Sequence, residues 1–338
     1  MGSAAAKRNG QIVHVISLQA LKCAAGCCRG LYGGQPLPRL YLGGVLAYNI
    51  GMMQTQTQTM NPPVAQPRAL SPTQALRVHW PLYLIEGFLL ACFMISASAA
   101  TIVFMGAHSP VAHAVTSPWL RRIGIGIAMG GTAVALIYCP WGKRSGAHMN
   151  PAFTLSFLWL KKIAPADALG YAAGQFAGGA IGVLAAVAMF GSAKMSQPAV
   201  DYVVTVPGPW GDGVAWLGEF AIGFILIAVV LLLNRSPKLA PRTGLVCGVL
   251  IALFVIFESP LSGFSMNPAR TFGSAVVANV WQAWWIYFTA PILGMLIGVE
   301  AHKQIVEDHR VLCLRLNHCP KTPTLHACNC LAETTPAA

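Results

Sequence analysis

From about residue 80 onward the chain alternates long apolar runs with short polar links. Six runs, at roughly 82–106, 121–141, 166–190, 214–234, 242–259 and 281–301, each reach the ~20 residues that cross a bilayer core. Two shorter apolar segments, at about 150–160 and 267–278, each follow an Asn-Pro pair. A helix of that length covers roughly 15–18 Å, about half a membrane. The pattern predicts an all-α membrane protein with six transmembrane helices and two re-entrant half-helices, read as three spans and one half-span, twice over.

The repeat is visible in the residues themselves. SGAHMNPAFT (145–154) and SGFSMNPART (262–271) agree at seven positions, and one of the differences sets Phe153 against Arg270. An odd number of spans per copy inverts the second copy relative to the first, so the half-helices should meet near the midplane. Proline at a first helical position needs no amide donor, and asparagine before it is a favoured N-cap. Asn150-Pro151-Ala152 and Asn267-Pro268-Ala269 therefore predict two helix starts deep in the membrane. Irregular backbone at that depth is tolerated only where it is buried in protein or lines a cavity. Two helix N-termini facing one point would repel a cation or proton, whereas a neutral solute could accept from the two Asn amides. Glycines four apart, as in Gly170, Gly174, Gly178 and Gly182, predict close helix packing in lipid.

Composition strengthens this picture. Of 338 residues, 55% are hydrophobic and only 9% charged, against roughly 25% charged in a soluble chain. A formal charge of +12 raises the question of nucleic acid, but its placement argues against it. If both tails are cytoplasmic, 18 of the 22 Lys and Arg fall on that side; Arg121, Arg122 and Lys194 fall outside. That is the positive-inside pattern of a multi-pass protein of the cell membrane rather than a basic groove. Arg270 is the exception, a cation within an apolar stretch.

The division expected along the chain is a disordered or mis-started tail over 1–75, a membrane domain over 80–302, and a tail over 303–338. Within the domain, repeat one covers 80–190 and repeat two 214–302. The last tail carries Cys313, His318, Cys319, His326, Cys328 and Cys330, a spacing that fits no standard zinc site. No metal site or cofactor is expected. No span presents a Ser/His/Asp set, so no enzyme is expected either.

From about 80 to 302 the chain resembles the aquaporin and glycerol-facilitator (major intrinsic protein) channels. The likeness rests on six spans, both NPA boxes, the Arg after the second, and Glu86 and Glu219 in the first span of each half. It implies a pore in each subunit, usually within a homotetramer, carrying water and small neutral solutes across the lipid bilayer. Asn150 and Asn267 would be pore donors, and Arg270 would stand at the outer constriction. Carbonyls of Gly146, Ala147, His148, Gly263, Phe264 and Ser265 would form an acceptor ladder. Glu86 and Glu219 would hold the loops, and His148 would brace its own. A solvated rim position is expected for Glu258.

The resemblance also implies a four-cornered filter of Arg270, Phe264, Val255 and a residue on the second span, either Met129 or Gly130. Its solute signals are mixed. Val255 stands where water-selective members carry His, and Phe264 resembles the glycerol pattern, which favours glycerol-like polyols. Thr271 and Tyr287-Phe288 resemble the water branch, which keeps a strictly water-selective pore as the alternative. A secondary transporter is the remaining rival, needing intramembrane ionisable pairs that only the two Glu could supply.

Overall fold

The structure, a computed structural model, describes residues 71–305 and Leu316. The expected N-terminal tail, up to residue 70, and the Cys/His tail lie outside the described residues, Leu316 excepted. Eight principal helices follow one another: α1 Pro72–Met105, α2 Pro118–Tyr138, α3 Pro151–Trp159, α4 Pro165–Phe190, α5 Asp212–Leu233, α6 Thr243–Phe257, α7 Pro268–Ala278 and α8 Trp284–Ile305. No strand occurs among the described residues. Six segments are long and apolar enough to cross a membrane: α1, α2, α4, α5, α8, and α6 together with the 3-10 turn before it (Ala240–Phe257).

α1 begins at Pro72, before the apolar run that starts near residue 80. Ser71 and Gln74 explain it: the Ser71 hydroxyl accepts from the Gln74 N–H at 3.3 Å, and the Gln74 side chain accepts from the Ser71 N–H at 3.0 Å. With Pro72 at the first position this capping box starts a helix through residues too polar to count as a span.

The two repeats fold alike. α1 packs most extensively on α4 and α5 on α8, while α2 and α6 join the halves. Glycine permits these approaches. A Cβ on Gly178 would stand 2.0 Å from the Gly87 carbonyl oxygen, and one on Gly294 2.2 Å from that of Phe220, so backbone meets backbone in both repeats. One end of the bundle, here the tail end, carries the start of α1 and the end of α8. There the Tyr138 hydroxyl donates to the Pro241 carbonyl at 2.7 Å, tying the end of α2 to the start of α6.

Polarity is distributed as a bilayer requires. Leu84, Phe88, Leu169, Ile181 and Leu217 are exposed, whereas Glu86, Gln175 and Glu219 are fully buried. The polar interior is where the site lies.

Candidate functional site

α3 and α7 begin inside the bundle and touch. Asn150 and Asn267 have extended backbones (φ −155° and −150°) and cap them. Asn150 Oδ1 accepts from the Ala152 N–H at 2.9 Å; Asn267 Oδ1 accepts from Ala269 at 3.0 Å and from Arg270 at 3.3 Å. Each Nδ2 donates across to the other loop, Asn150 to the Met266 carbonyl and Asn267 to the Met149 carbonyl, both at 2.7 Å. An amide nitrogen carries two protons, so each side chain keeps one beyond this bond. Pro151, Ala152, Pro268 and Ala269 are buried behind the caps.

The loops ahead of the caps share an unusual backbone. Gly146, Ala147 and Met149 have φ of +101°, +56° and +50°; Gly263, Phe264 and Met266 have +81°, +56° and +56°. A left-handed conformation at a non-glycine residue costs on the order of 1–3 kcal/mol and persists only when its surroundings impose it. Glu86 and Glu219 impose it. Glu86 accepts from His148 N–H (3.1 Å), Met149 N–H (2.6 Å), the Ser145 hydroxyl (2.6 Å) and Gln175 Nε2 (2.9 Å). Glu219 accepts from Ser265 N–H (2.6 Å), Met266 N–H (2.5 Å) and the Ser262 hydroxyl (2.8 Å). Charge-assisted bonds of this number let a carboxylate stay in an apolar interior.

A second brace repeats in both halves. The Tyr171 hydroxyl donates to the Ser145 carbonyl at 2.6 Å, and the Tyr287 hydroxyl to the Ser262 carbonyl at 2.5 Å. Tyr171 carries no sequence signal of its own; only superposing the repeats would have found it. His148 Nδ1 lies 3.1 Å from the Thr154 hydroxyl with its ring stacked on Phe157, and the Ser265 hydroxyl lies 2.5 Å from that of Thr271.

Two chambers lie along the interior. One, of about 70 Å³, is bounded by Asn150, Asn267, Ala147, His148, Ser265 and Cys247 among others. The other, of about 360 Å³, lies away from the tail end and is bounded by Met129, Val255, Gly263 and Arg122 among others. Phe93, Phe264 and Arg270 line both and so flank the neck between them. Arg270 Nη1 has no hydrogen-bond partner among the described residues.

Met129 and Gly130 divide at this point. Met129 lines the wider chamber, whereas Gly130 is packed into α6, where a Cβ would lie 2.3 Å from the Gly248 carbonyl oxygen. One residue turns a helix by about 100°, enough to separate the two. Phe93, on α1, was not among the expected filter residues. Glu86, seven positions earlier and so on the same side of α1, marks the face that looks inward, but nothing in the sequence singles out Phe93 on it.

Two further placements depart from the sequence reading. Glu258 is no solvated rim residue: it is 6% exposed, and neither carboxylate oxygen has a hydrogen-bond partner among the described residues. It packs on α5, where its Oε1 would be 2.6 Å from a Cβ on Gly218. Burial, and then the Glu219 carboxylate, push its carboxyl up to about 8, opposed by the nearby Ser262 hydroxyl. Near the tail end, buried Asp167 accepts from the Tyr83 hydroxyl at 2.6 Å and lies 2.8 Å from His79 Nδ1. This polar cluster, linking the starts of α1 and α4, lines neither chamber and was not anticipated. No group of three metal-ligating side chains occurs among the described residues.

Comparison with known proteins agrees with this architecture. A family model described as "Major intrinsic protein" matches residues 82–302. Aquaporin NIP6-1 of Arabidopsis thaliana is 34% identical over 203 residues, which is 60% of this chain and 64% of that one, so less than two thirds of that relative is spanned. Aquaporin NIP1-3 of Oryza sativa subsp. japonica is 32% identical over 206 residues, 60% of this chain and 69% of that one. Among solved structures, the aquaglyceroporin of Plasmodium falciparum superposes with a TM-score of 0.55 at 19% identity, covering 68% of this chain and 97% of the other. At that identity the likeness is one of fold.

Proposed function

The chain belongs to the major intrinsic protein family, a family of channels rather than enzymes, and from that premise we propose a passive pore for water and small neutral solutes that excludes protons and ions. The observation that carries this reading is the pair of reciprocally bonded caps, Asn150 and Asn267, at the wall of one chamber. Their remaining amide protons can serve a passing oxygen. The N-termini of α3 and α7 present positive dipole ends to the same place, and Arg270 adds a fixed cation at the neck. A hydronium or metal cation meets unfavourable potential twice, while a neutral solute meets donors.

The remaining roles follow from that path. Gly146, Ala147, His148, Gly263, Phe264 and Ser265 offer carbonyls to solute, which the held left-handed loops would turn inward. Met129, Val255, Phe264 and Arg270, with Phe93 added, set the size limit. Tails on the cytoplasmic side, the cell membrane as location and a homotetrameric assembly belong to the same reading; chemical cross-linking in intact membranes tests the last.

For solutes beyond water, glycerol-like polyols fit best. Val255, Met129 and Phe264 give an apolar wall to carbon atoms, and Arg270 supplies donors to hydroxyls. The relatives include both aquaporins and an aquaglyceroporin, in keeping with either branch. A strictly water-selective pore is favoured by one observation, the extra aromatic Phe93 at the neck. A coupled transporter is disfavoured, because Glu86 and Glu219 are committed to the loops. Proteoliposomes exposed in parallel to impermeant-osmolyte and glycerol gradients, with light scattering as readout, test the reading. Water flux with glycerol flux above protein-free vesicles supports the polyol pore; water without glycerol supports the alternative.

A further inference from the structure

Leu316 lies eleven residues beyond the end of α8, yet it is 5% exposed and belongs to the core. Its N–H donates to the Gly146 carbonyl at 3.3 Å. Its side chain lines the narrower chamber with Ile137, Ala147, Leu226 and Cys247. Ile137 is in the last turn of α2 and Cys247 in the second turn of α6, so both belong to the tail end of the bundle. The chamber wall at that end is therefore completed by a residue of the tail.

We propose that the inner mouth of the pore is a docking site for the chain's own C-terminal segment, and that Leu316 seated there holds the channel closed. The inference rests on the channel reading above, and three considerations carry it.

The first is the acceptor it takes. Gly146 is the first carbonyl of the acceptor series from the tail side, and a leucine N–H bonded to it replaces a solute donor. The second is chemistry. A leucine side chain offers no hydrogen bond, so a single-file solute reaching it would lose its partners in a space too small to bring others. The third is reach. Ten residues separate Ile305 from Leu316, and an extended chain spans at most ~3.3–3.6 Å per residue, so roughly 35 Å is available to fold back from the end of α8 to the mouth.

Docking of this kind is a two-state equilibrium, so the plug slows conduction in proportion to its occupancy rather than abolishing it. Cys247 reports on the same space independently of flux, because its 2% exposure beside Leu316 should rise when the segment leaves.

The test uses the full chain as the parent, Leu316→Ala and Leu316→Trp. Water permeability per channel is read by stopped-flow scattering, and alkylation of Cys247 by a small maleimide is followed by peptide mass spectrometry. Leu316→Ala is expected to raise permeability several-fold and to speed Cys247 labelling by a similar factor, with Leu316→Trp no faster than the parent in either. Equal permeability and equal labelling in the parent and Leu316→Ala would overturn the plug. Were no form to conduct, the channel reading would fail by itself, and labelling would still decide: faster modification in Leu316→Ala upholds docking, and unchanged modification rejects it.

Discussion

Asn150 donates through Nδ2 to the Met266 carbonyl at 2.7 Å, so the cap of one half-helix is bonded to the loop that leads into the other. Asn267 and Met149 make the reciprocal bond at the same length. The two repeats are thus locked at the point where their helix N-termini meet, and neither cap can move without disturbing the opposite loop.

Replacing Asn267 by Asp puts a carboxylate oxygen where an amide now donates to Met149. It also offsets the positive dipole ends that repel cations. Proton leak, measured with an entrapped pH dye under a potassium diffusion potential, should rise several-fold in folded Asn267→Asp and in Asn150→Asp. Ion tightness equal to the parent in both variants would remove the electrostatic explanation of exclusion.

Glu86→Ala should be among the most damaging single changes. It leaves two backbone N–H groups, the Ser145 hydroxyl and Gln175 without their acceptor, all in a buried site. Each buried donor left without its acceptor costs on the order of 1–3 kcal/mol. A fall of several degrees in detergent Tm together with loss of flux is expected; an unaltered Tm would show that the left-handed loop holds itself.

The neck gives a selectivity prediction. Val255→His adds a polar ring to the chamber wall that Arg270 also lines and should cut glycerol flux more than water flux. Phe93→Ala should do the reverse, raising the glycerol-to-water ratio by a few-fold. If Phe93→Ala leaves that ratio where it was, solute size is set elsewhere than between Phe93, Phe264 and Arg270.

Glu258 makes stability depend on pH. Its carboxyl is raised from 4.5 to about 8, so between those values the folded chain keeps a proton that the unfolded chain has lost. Stability from this group is fully present below about pH 4.5, declines as pH rises, and is lost through pH 8. At 1.36 kcal/mol per pH unit the total is a few kcal/mol. Tm of the parent minus that of Glu258→Gln should therefore fall from pH 5 to pH 9, and a constant difference would contradict the burial-based cause.

The features that water and lipid impose were legible in the sequence. The six spans are runs that a bilayer requires, and the caps at Asn150 and Asn267 follow from what Asn-Pro does to a backbone. The misreadings concern contacts across the fold. Glu258 sits at the end of a span and looks like a rim residue until Gly218, forty positions earlier, lets α5 close over it. Met129 and Gly130 differ only by a turn of one residue, which side-chain volume against α6 decides. Phe93 is one apolar residue in an apolar helix, and Asp167 shows as a first-turn acid with nothing to announce His79 or Tyr83. Leu316 is hidden because its partner, Gly146, is far away in sequence.

Osmotic shrinkage of proteoliposomes tests the central claim, a passive pore through the Asn150–Asn267 pair, most directly. Vesicles carrying the parent chain should shrink faster than protein-free vesicles, and those carrying Leu316→Ala faster still, with no proton or sodium current in either. Shrinkage at the protein-free rate in both, from folded protein, or sizeable ion current alongside water flow, would contradict it.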